Sequence, residues 1–165
     1  EEGFFFFTDK TGEALIARKK ELFDSVVPSS NGLMAHNLYW LGLLLDWKEA
    51  TLLSQQLLQQ AKRLLIAEPH YLSYWASLYT YQLKPAVEIC IVGENYQQLA
   101  KELSKNRYLP NQVILGTSTG SNLPLMQNRI AIDGKDTIYI CQEKACQLPV
   151  HTVEDAWKQL LSISN

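Results

Sequence analysis

Long apolar runs are missing from this chain, which excludes the simplest membrane reading. The longest, Leu38 to Leu45, falls far short of the roughly 20 residues that span a bilayer. It reads instead as a buried helix. Blocks of one charge are missing too. The densest is Arg18-Lys19-Lys20 and the formal net charge is -2, so nothing here matches the electrostatic footprint of phosphate-backbone binding, and no nucleic-acid partner is expected. Cysteine is scarce, at three residues. An odd number beside an ample apolar composition fits a reduced bacterial cytoplasm better than a disulfide scaffold. No Met and no basic-then-apolar leader opens the chain, which begins Glu1-Glu2-Gly3, so a fragment of a longer soluble, cytoplasmic protein is expected.

What is present is the composition of a folded protein: 165 residues, 47% hydrophobic and 19% charged. Phe4 to Phe7 suits a strand, Asp9 to Gly12 a turn, and Ala14 to Arg18 a returning arm, so a hairpin is expected there, with a helix over Glu13 to Val26 as its competitor. Ser29-Ser30-Asn31 offers N-cap oxygens to a helix from Leu33 to Leu45 that is apolar nearly all round, as a helix covered by neighbours should be. A second, amphipathic helix runs from Lys48 to Ile66, with Leu52, Leu53, Leu57, Leu58, Leu64 and Leu65 as its stripe. A third runs from His70 to Leu83. Beyond Pro85 the period changes. Val87 to Val92, Val113 to Leu115 and Thr137 to Cys141 read as strands, and Tyr96 to Ser104 and the segment after Thr152 as helices. Helices first and strands later give an α+β class, with a small, mainly parallel sheet of about three strands at the end.

Three clusters could carry chemistry. Gly93, between strand and helix, stands where a nucleotide fold would hold phosphate, but the three-glycine fingerprint is absent, as is the lysine of a phosphate loop in Gly116 to Ser121. No cofactor is expected. Cys141 and Cys146, with His151 beyond, offer too few ligands for a structural zinc site, so no metal is expected. The two thiols are read as a redox pair or as packed, reduced cysteines. The mixed charges Arg18, Lys20 and Asp24, followed by Ser29 and Asn31, could line a cleft or form a solvated face. Tyr71, Tyr74, Trp75, Tyr79 and Tyr81 read as core at their helical spacing.

Several of these segments together carry a family resemblance. The run Leu15-Ile16-Ala17-Arg18-Lys19-Lys20-Glu21, then Asp24 and Pro28-Ser29-Ser30-Asn31, resembles the C-terminal part of the spermatogenesis-associated, thioredoxin-domain-containing proteins, whose bacterial members are YyaL-like. Asp133 to Cys141 with Cys146-Gln147-Leu148-Pro149-Val150 is similar to the family's closing motif, and Ser30 stands where the family has a glycine. The resemblance implies an N-terminal thioredoxin-like domain followed by an (α/α) toroid resembling sugar epimerases and six-hairpin glycosidases. Residues 1–84 would then be the last toroid hairpins and 85–165 a terminal α/β unit. It implies a carbohydrate-binding or carbohydrate-modifying cavity lined by Arg18, Lys20, Asp24, Ser29 and Asn31. The alternative is a non-catalytic scaffold attached to the redox domain. The partner would be the N-terminal portion of the same protein, and inner helices left uncovered would self-associate.

Overall fold

Residues 3–12, 17–106 and 109–164 are described here by a computed structural model, in which the chain forms two compact units, Glu1–Leu83 and Lys84–Asn165. The first contains α1 (Ser30–Leu45), α2 (Lys48–Ala67), a 3₁₀ turn (Pro69–Tyr71) and α3 (Ser73–Leu83). Ser29 is extended and its side chain accepts the N–H of Gly32, which starts α1. Asp46 ends it in the left-handed region and returns its N–H to Gly42 O. The short link makes α1 and α2 packing neighbours, and they meet closely at Gly42, where a Cβ would collide with Thr51.

The core of this unit surrounds the fully buried Trp75, with Ala35, Leu38, Leu57, Leu58, Leu72 and Leu78. The stripe of α2 differs at one end from the leucine pattern. Leu52 is exposed, while Ala50, Ser54 and Ala61 are buried beside Leu57 and Leu58. Small residues let the helices approach, and Ser54 is tolerated in the core because its hydroxyl donates to Ala35 O at 2.8 Å.

The expected N-terminal hairpin is absent among the described residues. Phe7 N–H does reach Lys19 O at 2.9 Å, but both the N–H and the C=O of Phe5, which a ladder would use, are taken by the side chain of Asn31. Residues 17–26 are not helical either, and the rest of the proposed arm, Ala14 to Ile16, lies outside the described residues. Within this chain α1 is covered on one side only: Leu33, Met34, Leu41 and Leu45 are exposed.

The second unit holds β1 (Val87–Val92), α4 (Tyr96–Asn106), β2 (Gln112–Thr117), β3 (Thr137–Gln142), β4 (Ala145–Cys146) and α5 (Val153–Ser164). The sheet has the order β2-β1-β3-β4 and is mixed, not mainly parallel. Only β1 and β2 run parallel, joined through α4. β1 with β3 and β3 with β4 are antiparallel. The reason is the connection after β2. A parallel partner needs a crossover that carries the chain back to the starting edge of the sheet. Ser118 to Asp136 holds only a 3₁₀ turn (Pro124–Met126), so the chain re-enters at the edge where β1 ends, Thr137 opposite Val92.

The two sheet faces are then used differently. Val87, Ile89 and Ile91 of β1, with Ile138 and Ile140 of β3, pack on Leu103 of α4 and on Ala156 and Leu160 of α5. The opposite face presents Glu88, Cys90, Tyr139 and Cys141, all buried. The long connection covers it: Leu125 and Met126 are buried, and Cys90 Sγ donates to Leu125 O.

Candidate functional sites

In the first unit the five polar candidates separate into two groups. Asn31 is buried and fully engaged. Its Oδ1 accepts Phe5 N–H at 2.7 Å and its Nδ2 donates to Phe5 O and Glu21 O, each at 2.9 Å. Asp24 accepts the N–H of Ser29 at 2.9 Å and that of Tyr74, in the first turn of α3, at 2.8 Å. Ser29 caps α1. These three side chains serve backbone groups that the N-terminal coil and the helix starts leave unpaired. Arg18 and Lys20 instead lie over the ring of Phe6, at 4.1 and 4.8 Å from its centroid, with Arg18 also donating to Thr8 O.

Asp24 borders a cleft of about 300 Å³ with Ser25, Pro28, Ser73, Tyr74 and Ser77; Arg18, Lys20, Ser29 and Asn31 do not line it. A larger cleft of about 600 Å³ is lined by Phe4, Leu22, Phe23, Gln59, Gln60, Arg63 and Leu64. Sequence reading missed it, because Gln59 and Gln60 lie off the leucine stripe of α2 and their opposing wall, Phe4, Leu22 and Phe23, is far away in sequence. Also unforeseen is His36, buried in the unit, its ring stacked on Tyr74 and Nε2 at 2.9 Å from Tyr74 O. Burial holds its pKa below the usual imidazole value.

In the second unit a cleft of about 580 Å³ opens beyond the ends of β1 and β2, lined among others by Glu94, Ser118, Lys135, Asp136 and His151. Open α/β sheets bind ligands at that edge. The anion position there is filled from within. Asp136, just ahead of β3, accepts Asn95 N–H at 3.0 Å and Asn95 Nδ2 at 2.8 Å, and these bonds hold its carboxyl below the usual carboxylate range. The carboxylate of Asp136 therefore occupies the place of a phosphate at the start of α4. Gly93 has φ +143°, and a Cβ there would collide with Asp136. His151 Nδ1 donates to Asp136 O at 2.9 Å, since a carbonyl only accepts, which leaves Nε2 for another partner. The His151 imidazole, the Lys135 ammonium and the exposed Ser118 hydroxyl suit the holding of a polar ligand. No group of three or more potential metal ligands occurs among the described residues.

The cysteines correct the expectation of reduced thiols: Cys141 and Cys146 are bonded to each other, and Cys90 is free and buried. The two bonded residues are direct cross-strand partners of β3 and β4. Two intervening residues, Glu143 and Lys144, both have positive φ, 49° and 68°, the conformation of the turn that matches strand twist. The unforeseen residue is Arg129, from the long connection. Its guanidinium donates to Cys146 Sγ at 2.9 Å and lies 3.5 Å from Cys141 Sγ, over the ring of Tyr139. Arg129 lies a dozen residues before the first of these cysteines, in a stretch with no regular period, so no spacing rule could link them. Glu88 shares this face; burial raises its pKa, opposed by the charges of Arg129 and Lys144.

No family model matches the chain, and no solved structure does. Among curated proteins it is similar to spermatogenesis-associated protein 20, at 26% identity to the rat protein and 24% to the human and mouse proteins, over 161 residues. Each match covers 90% of this chain, and the chain spans about 20% of the length of each relative. The relatives are mammalian, so the bacterial setting expected from the sequence gains no support from them. No helix among the described residues is long and apolar enough to cross a membrane.

Proposed function

We propose that this chain is a non-catalytic interaction module of a longer protein like spermatogenesis-associated protein 20, and that its first unit packs against the preceding part of the same polypeptide. The observation that carries this reading is the outer side of α1, where Leu33, Met34, Leu41 and Leu45 are exposed, with Trp47 beyond the helix end. Apolar patches of this kind mark contact surfaces. The occupant is sought within the same protein because the chain accounts for only 20% of its relatives' length. A redox domain, which the family resemblance implies, would belong to that remainder. The use of Asp24, Ser29 and Asn31 as backbone caps supports the same reading, since side chains so engaged are poor candidates for turnover.

Hydroxyl-radical footprinting tests it. Met34 and Trp47 should be protected in the full-length protein and readily oxidised in the 165-residue chain. Leu41→Lys should abolish the protection without unfolding the shorter chain. Equal oxidation in both forms would overturn the reading, and protection that appears in the short chain only at high concentration would assign the face to a second copy.

A second reading, a carbohydrate-binding wall of a toroid, draws support from the larger cleft of the first unit. Phe4 and Phe23 offer apolar surface there, and Gln59, Gln60 and Arg63 offer donors and acceptors suited to hydroxyls. Titration of mono- and disaccharides against the chain and its Gln60→Ala variant distinguishes this reading by whether the variant loses affinity.

A further inference from the structure

We propose that Cys141 and Cys146 are a redox-active disulfide that exchanges with an external dithiol at the Cys146 sulfur, with Arg129 as its positioning cation. This site lies in the second unit and stands independently of the packing role proposed for the first.

The argument starts from the asymmetry of the pair. Cys141 is 1% exposed, within β3, whereas Cys146 is exposed on the two-residue edge strand β4. An incoming sulfur reaches only Cys146. Reactivity in thiol–disulfide exchange depends on which sulfur is accessible and on how well the other sulfur bears negative charge as it leaves. Arg129 supplies the second condition, since its guanidinium touches both sulfurs, and a nearby arginine lowers a thiol pKa.

Arg129 is held for this purpose by several contacts. Its N–H bonds Met126 O at 3.2 Å, in a segment whose Leu125 and Met126 are buried. The hydroxyl of Tyr139 donates to the next residue's carbonyl, Ile130 O, at 2.7 Å and accepts Ile130 N–H at 3.4 Å. Tyr139 thus fixes the connection and offers its ring face to the guanidinium. The Nε of Arg129 is buried with no hydrogen-bond partner among the described residues. A guanidinium spent on sulfur, with one donor unsatisfied, is poorly explained by packing alone.

A purely structural cross-link is the competing explanation, and the geometry weakens it. The sequence separation is 5, and the stabilisation a disulfide confers grows with the loop it closes. Here the turn at Glu143 and Lys144 already sets the hairpin register.

The exchange balances as follows. A thiolate of the external dithiol attacks Cys146 Sγ. A mixed disulfide forms, the Cys141–Cys146 bond breaks, and its electron pair stays on Cys141 Sγ as a thiolate facing Arg129. The second thiol of the dithiol gives its proton to water and attacks the partner-side sulfur of the mixed disulfide, releasing Cys146 as a thiolate. The dithiol ends as a disulfide, and two electrons have passed to the cysteine pair, which takes up protons from water according to pH.

The test uses the full chain under native conditions, with dithiothreitol and glutathione as probes and alkylation followed by mass spectrometry as readout. Reduction should proceed without loss of the circular dichroism signal, and Cys90, buried and pushed up to about 11, should stay unalkylated. Arg129→Gln should slow reduction roughly tenfold and raise the thiol pKa of the reduced pair, and Arg129→Lys should restore most of both. In Cys141→Ser, glutathione disulfide should label residue 146 readily; in Cys146→Ser, it should label residue 141 slowly or not at all. Reduction only on unfolding, equal rates in wild type and folded Arg129→Gln, or faster labelling of Cys141 would each overturn the proposal. Should Arg129→Gln fail to fold, the labelling asymmetry and the wild-type reduction rate decide alone.

Discussion

The carboxylate of Asp136 closes the N-terminus of α4 through Asn95, accepting its backbone N–H at 3.0 Å and its side-chain amide at 2.8 Å. A residue preceding β3 thus caps a helix that lies some forty positions earlier in the chain, and it ties the long connection to the end of β1.

Removing that tie should be costly. Asp136→Ala is expected to destabilise the second unit by about 1 kcal/mol at neutral pH, the usual worth of an N-terminal cap. The folded carboxyl titrates below its unfolded value, so its stabilisation is fully present above a pH of about 3.9 and is lost as pH falls through the lower, folded value. Urea denaturation across that window should show a smaller acid loss in the variant than in the wild type.

Gly93 is the other half of the same junction. At φ +143°, with Asp136 against the site of a Cβ, Gly93→Ala combines backbone strain with a clash. A loss of roughly 3 kcal/mol is expected. Thermal melting compared with Gly134→Ala, which has positive φ but open space around it, separates the two causes, since the control carries strain alone.

Asn31 distinguishes a structural from a cavity-lining role. Asn31→Ala leaves Phe5 and Glu21 with unpaired backbone groups in a buried setting. The expected loss is roughly 3 kcal/mol, read from the urea midpoint, with no change in any saccharide affinity measured on variant that remains folded. A variant of wild-type stability that loses ligand binding would restore Asn31 to a site.

These expectations show where the sequence was informative. Val87 to Val92 was legible as a strand because five of its six positions, all but Glu88, are apolar or β-branched and the run is bounded by Pro85 and Gly93. β1 spans those six residues. The cap at Ser29 was legible for a similar local reason. Strand direction was not, because it depends on what the connection Ser118 to Asp136 does in space, and that segment carries no periodic signal. Among the described residues Phe4 to Phe7 form no strand, because Asn31, far along the chain, takes the backbone groups of Phe5. Arg129 was invisible for the same reason: its partners are sulfurs on two other strands.

His36 offers a pH test of the first unit. Tyr74 O can only accept, so the Nε2 at 2.9 Å carries a proton in the neutral ring, which also stacks on Tyr74 and meets the edge of Tyr81. Burial is the main influence on its titration and lowers the pKa, opposed by the bond to Tyr74 and by the charge of Asp24. The sign follows directly. As pH falls below about 6.5 the unfolded chain takes up the proton first, so the folded state loses ground until its own lower pKa is passed. The slope attributable to one such group is at most about 1.4 kcal/mol per pH unit. His36→Phe should keep the stacking, remove that slope, and cost about 1 kcal/mol at pH 8 through the lost bond to Tyr74 O. Urea midpoints at pH 5, 6, 7 and 8 for wild type and variant check this. Parallel curves would show that His36 takes up its proton equally in the folded and unfolded states and takes no part in the acid sensitivity of the unit.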